Sequence, residues 1–232
     1  MLKQMNAQYV VSFEPQGAIK EQQQLIQETL SSYFPPASYS TIGLPVNAEI
    51  PAEIPRILAM SKFGHSSLQI AESEIRLNTQ FDTEFQEDLD TCWLYFKERI
   101  DKINELTKSI SKDHILFAGI VAQFIDEDVN MPAKFIRKKY FNDTIGADVY
   151  DLLARMTYVI SDQYYLNILV NNLRADNDRD KEALGISVDI NNRYLMNTAK
   201  EIKHVDNEVL DGLQRNYVEF INTQIHKITE EG

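Results

Sequence analysis

The sequence predicts an α+β fold in which antiparallel sheets carry helices packed on one side. Three observations support that class. Short stretches in both halves place apolar residues at every second position, as a sheet with one wet face requires. Two long stretches repeat apolar residues at steps of three and four, the spacing of amphipathic helices. The order strand, helix, three strands, long helix then occurs twice, which reads as two pseudo-equivalent β-α-β-β-β-α units. The first unit covers 1–106 and the second 114–232, separated by a polar connector at 107–113 ("TKSISKD"), unless the two form one continuous domain.

The first strand is "AQYVVSFEP", with Tyr9, Val11 and Phe13 on one side, and Pro15 and Gly17 end it. A helix follows from Ala18 to Phe34 on the spacing of Ile19, Leu25, Ile26, Leu30, Tyr33 and Phe34, stopped by Pro35-Pro36. Residues 35–55 hold five of the seven prolines, yet Ile42, Leu44, Val46, Ile50 and Ile54 punctuate them. A flexible linker would not carry so many large apolar side chains. The segment is expected to lie extended across a surface, and Ile42, Leu44, Val46 and Ile50 are the candidate partner surface. The competing role is internal: prolines blunt edge pairing, so the same residues would seal the edge of their own sheet.

"PRILAMSKF", "SLQIAES" and "EIRLNTQF" read as three strands in succession. Thr83 followed by Gln86 fits a capping box, placing a helix start there. The stripe Phe85, Leu89, Cys92, Trp93, Phe96, Ile100, Ile103, Leu106 predicts a long helix with Trp93, Phe96 and Ile100 buried against a sheet. Cys92 lies on that stripe and is expected to be a buried structural cysteine. In the second unit "HILFAGIVAQFIDED" is a strand, and Asn130 and Pro132 suit the cap and first turn of a helix through "AKFIRKKYF". "YDLLARMTYVIS", "YYLNILVNNLRA" and "ALGISVDINNRYL" read as three strands, the first also readable as helix. A last helix starts near Asp206.

Little in the sequence carries chemistry. One cysteine permits neither an internal disulfide nor a structural zinc site, and His65, His114, His204 and His226 are scattered without ligand spacing. The glycines are isolated, so no loop is built to cradle phosphate, and no local nucleophile motif occurs. Asp176, Asp178 and Asp180 have the first spacings of a calcium loop, but Lys181 and Ser187 stand where glycine and a bidentate glutamate are needed; a solvated hairpin turn is expected. No catalytic residue, metal ligand or cofactor is assigned. The net charge of −12 repels nucleic acid and anionic membrane, so neither is an expected partner. Lys134, Arg137, Lys138 and Lys139 break that trend and read as a solvated helix face. "ILFAGIVAQFI" is the longest apolar run, too short for a membrane span, and the first residues lack the pattern of a secretion signal, so a cytoplasmic location is expected.

"PRILAMSKFGHSSLQIAESEIRLNTQF" before a long helix, and "LGISVDINNRY" late in the chain, resemble a family of uncharacterised, sporadically distributed bacterial proteins of similar length. The resemblance covers most of the chain and rests on apolar patterning around short signatures. It implies no established activity and no catalytic residue. The family's late apolar-Asp-apolar strand corresponds to Val188, Asp189 and Ile190.

Function is therefore expected to be non-enzymatic: binding or scaffolding through self-association, as in a homodimer, or through a protein partner. One alternative is a SecB-like or lipid-binding-like module that holds an apolar peptide or ligand between sheet and helix. Another is an enzyme whose site is dispersed along the chain. An apolar groove would favour the first alternative and converging polar groups the second.

Overall fold

Burial alternates residue by residue along the long strands, and that alternation sorts the sheet into a helix-covered face and an open face. The computed structural model describes residues 1–17, 19–43, 49–111, 114–141, 147–161, 163–175, 178–193 and 205–230. It contains β1 (Leu2–Phe13), β2 (Ser40–Thr41), β3 (Ile57–Met60), β4 (Ser66–Ile70), β5 (Glu74–Gln80), β6 (Ile115–Asp126), β7 (Leu153–Ile160), β8 (Tyr164–Ala175) and β9 (Asp178–Asn191). These form one nine-stranded sheet in the order β2-β3-β4-β5-β1-β6-β9-β8-β7. Every pairing is antiparallel.

The helices are α1 (Gln23–Leu30), α2 (Leu89–Ser111), α3 (Pro132–Tyr140), α4 (Asn207–Thr223) and the short α5 (His226–Thr229). The chain is thus α+β, as its patterning predicts. Outward from the central β1–β6 pair, one side runs β5, β4, β3 and the other β9, β8, β7. The same relative order is laid down on both sides. The stretch expected to connect two units is largely helical: α2 continues through Ser111, and Thr107 Oγ1 donates to the Ile103 carbonyl at 2.7 Å inside it. Because β1 pairs directly with β6, the two halves share one sheet and one apolar core.

Helix ends show where local signals were outcompeted. The first helical segment opens as a 3-10 turn at Ile19–Gln22 and its α-helix stops at Leu30, with Tyr33 and Phe34 amides folding back on the Leu30 carbonyl at 3.0 and 2.9 Å. Phe34 is nonetheless fully buried. α2 starts at Leu89 and not after Thr83, because Asp88 accepts from the Thr91 amide and hydroxyl at 3.0 and 2.7 Å. Gln86 instead donates to the Phe81 carbonyl at 2.9 Å, closing the preceding turn. Met131, at φ 48°, precedes Pro132 as the cap of α3, in place of Asn130. α4 starts near Asp206 as expected, and Asp206 is its cap, accepting from the Val209 amide at 3.0 Å.

The core lies between the helices and one face of the sheet. Tyr9, Val11 and Phe13 of β1 meet Phe96, Ile100, Ile103 and Leu106 of α2 in one buried cluster. Each such side chain contributes about 1.5–3 kcal/mol by leaving water. Two polar pairs are taken inside with it: Tyr9 donates to Asn104 Oδ1 at 2.5 Å, and Gln4 Nε2 to the Tyr217 hydroxyl at 2.9 Å, although Gln4 Oε1 has no partner. Trp93 departs from expectation. It is half-buried, bridging α2 to α4 with its ring 5.0 Å from that of Tyr217 and 6.5 Å from that of Phe96.

Candidate functional site

The Pro-punctuated segment nominated by the sequence belongs, where described, to its own sheet edge. Leu44 and Val46 lie outside the described residues. Ile42 is half-buried, and its amide donates to the Arg56 carbonyl at 2.9 Å, extending the β2–β3 pairing. Ile50 is also half-buried. The buried Arg56 guanidinium gathers the carbonyls of Ile54 (2.7 Å), Pro51 (3.3 Å) and Ile50 (3.5 Å), while its Nε meets Glu72 at 3.1 Å. One cation thereby folds residues 50–54 onto the chain itself.

Reactive groups do not converge elsewhere. Cys92 is buried and donates to the Phe85 carbonyl at 3.3 Å; burial pushes its thiol up to about 12. A protonated thiol in a pocket of about 100 Å³ is a poor nucleophile. His65 lies in the turn before β4, His114 just before β6 and His226 at the start of α5, and His204 lies outside the described residues. Among the described residues no group of three or more His, Cys, Asp or Glu is placed to hold a metal. Asp178 and Asp180 lie in the first three residues of β9, and Asp176 lies outside the described residues.

Asp189 falls on the open face of the sheet, half-buried, flanked along β9 by the buried Val188 and Ile190. Asn167 donates to its Oδ2 at 3.2 Å and Asn191 to its Oδ1 at 2.9 Å, and Thr157 donates to Asn167 at 2.8 Å. Gln8 and Asn78, and Asn6 and Gln123, are paired in the same manner across neighbouring strands. This face is a ladder of mostly neutral amides and hydroxyls whose hydrogen bonds run from strand to strand.

The two ends of the sheet differ sharply. At one end β2 is two residues long and followed by the prolines of its own segment, a protected edge. At the other end β7 runs for eight residues without a proline or an acid, and its only charge is Arg155. β7 is the last strand of the sheet, so among the described residues its outer row of amides and carbonyls pairs with nothing. Leu153, Tyr158 and Val159 are 55%, 49% and 48% exposed, which is high for large apolar side chains on a strand.

Beside this edge, on the helix-covered face, lies an open groove of about 460 Å³. Met156, Tyr158, Leu166, Ile168, Phe220 and Ile228 give it an apolar floor, and Lys139 and Lys227 stand on its wall. α3 builds that wall: Ala133 and Ile136 bury its inner side, which leaves Lys134 and Lys138 in solvent. Lys139 donates to the carbonyls of Lys227 and Glu230, tying α3 to the end of α5, and burial lowers its pKa. Within the basic run, then, two residues face water as the sequence predicts and a third is a tether.

Sequence reasoning missed this edge. "LARMTYVI" reads as an apolar strand wherever it lies, and only the order of strands makes it terminal. The available signal was an apolar strand with no proline or acid and a single charge, Arg155. No family model matches the chain, and no curated protein matches its sequence.

Proposed function

We propose that the chain is a protein-binding module that takes an extended segment of another polypeptide, from a second copy or a separate partner, as an added strand on β7. The observation that carries this reading is the eight-residue apolar edge with the groove beside it. Folded proteins blunt long edges because bare amides and carbonyls template pairing with any strand that arrives. An edge left open and apolar is suited to strand addition, in which main-chain bonds supply affinity and pockets for alternate side chains supply selectivity. The protected edge at β2 makes the contrast within one molecule.

The groove also favours a second reading, an apolar peptide or small ligand held by its side chains alone. N-methylation of alternate peptide amides separates the two, since it removes edge hydrogen bonds and leaves side chains in place. The test of the main reading measures self-association by sedimentation velocity and peptide binding on an array of extended sequences. Val159→Lys should abolish whichever association is found while the far-ultraviolet circular dichroism stays unchanged. A chain that neither self-associates nor binds extended peptides would remove the proposal.

A further inference from the structure

Charge selects among the strands that β7 would accept. The chain as a whole carries −12, yet the groove beside β7 is lined by Lys139 and Lys227 and by no carboxylate. Arg155 is exposed on the strand itself and has no ion-pair partner among the described residues. Lys134 and Lys138 add exposed positive charge from α3. Glu230 is the acid whose charge reaches Lys139. The open edge therefore carries positive charge along its middle and groove side, while the exposed Asp148 and Asp151 precede it in the chain.

A second copy is a poor occupant of that edge. Pairing β7 with its twin about a two-fold axis adds a second set of Arg155, Lys139 and Lys227 to the same edge, and β7 supplies no acid to answer either set. Two bodies of the same net charge also repel on approach. Resting on the reading of β7 as a docking edge, we infer that its occupant is an extended segment of a separate protein that alternates apolar with acidic residues. Side chains of an added strand point alternately to the two faces of the sheet. Those on the helix-covered side meet the apolar floor at Met156 and Tyr158, while those on the open side run past Leu153, Arg155, Thr157 and Val159. Apolar residues at every second position fill the first row, and acids between them answer Arg155. Acids at the ends of the segment answer Lys139 and Lys227.

The test is fluorescence anisotropy on the full chain with three labelled ten-residue peptides: alternating valine and glutamate, alternating valine and lysine, and the valine–glutamate peptide N-methylated along its pairing edge. The valine–glutamate peptide should bind about tenfold or more tightly than the other two, and added salt should weaken it. Arg155→Glu combined with Lys227→Glu, both at exposed positions, should reverse the ranking of the glutamate and lysine peptides, a gain that misfolding cannot imitate. Equal binding of those two peptides, or a ranking unmoved by charge reversal, would overturn the inference. If no peptide binds but the chain dimerises and Val159→Lys makes it monomeric, the acidic strand is refuted and β7 survives as a docking edge. If no peptide binds and no dimer forms, both are refuted.

Discussion

Tyr164 on β8 donates its phenolic hydrogen to the Val209 carbonyl of α4 at 2.9 Å, and its oxygen occupies the place a side chain at Gly212 would need. α4 can rest this low on the sheet because one turn of it lacks a Cβ. Gly212→Ala should therefore destabilise the protein, although alanine is the better helix former by about 1 kcal/mol. Overpacking of this kind costs ~1–3 kcal/mol. In a Tyr164→Phe background the same change should cost much less, because the clashing oxygen is gone. Urea unfolding of the four-member cycle measures the coupling; additive costs would contradict the geometry.

Phe96 and Trp93 should differ although they neighbour one another on α2. Phe96 is fully buried, and its truncation to alanine should cost ~3–5 kcal/mol. Trp93→Ala should cost less, since that ring is only partly buried and stacks chiefly on Tyr217. Denaturation midpoints in the opposite order would place the core wrongly.

Arg56 holds its segment through bonds that a charged donor makes strong, roughly 1.5–3 kcal/mol for such a group. Arg56→Met keeps the aliphatic stem and removes the fork. Residues 50–54 should then become the first site of limited proteolysis, with the rest of the sheet intact. Unchanged cleavage would show that the prolines alone hold the segment.

Alkaline pH should act through buried phenols and the buried thiol. Burial pushes Tyr39 and Tyr140 up to about 12 and Tyr9 and Tyr217 higher still. Each folded-state value lies above the unfolded value near 10. The neutral phenols thus contribute stability that is fully present below about pH 10 and lost as pH climbs toward their folded values. Tyrosinate absorbance followed alongside circular dichroism should show these four staying neutral until the protein unfolds. Cys92 should resist a thiol reagent at pH 8 in the native protein and react at once in denaturant. Rapid native labelling would contradict its burial.

Periodicity made the sheet's two faces, the long helices and the start of α4 near Asp206 legible in advance, because each depends on residues a few positions apart. The starts of α1, α2 and α3 were less legible. Thr83 and Gln86 have the letters of a capping box, but the main chain of Gln86 accepts from the Gln4 amide at 2.8 Å, and that long-range bond shifts the helix start to Asp88. Trp93 reads as core on α2 alone, and it is the approach of α4 that sets its true burial. The edge position of β7 follows from β6 pairing with β9, as Ile120 with Ile190, and "LARMTYVI" itself records it only in its lack of proline and acid. Ile42 and Ile50 stood out by composition, yet the main chain of both is tied to Arg56 of the same sheet edge.

The placement of β1 at the centre of the sheet has a consequence for how the chain is born. Its first partner, β5, ends at Gln80, whereas its second, β6, is not complete until Asp126. Translation at ~5–20 residues per second takes roughly two to nine seconds over that interval. Throughout it, a nascent half-sheet presents the bare amides of Leu2–Phe13, the longest strand of the first half, to the crowded surroundings of the ribosome. A slowing of synthesis between residues 80 and 126 should raise aggregation of the newborn chain, and a slowing after 126 should not.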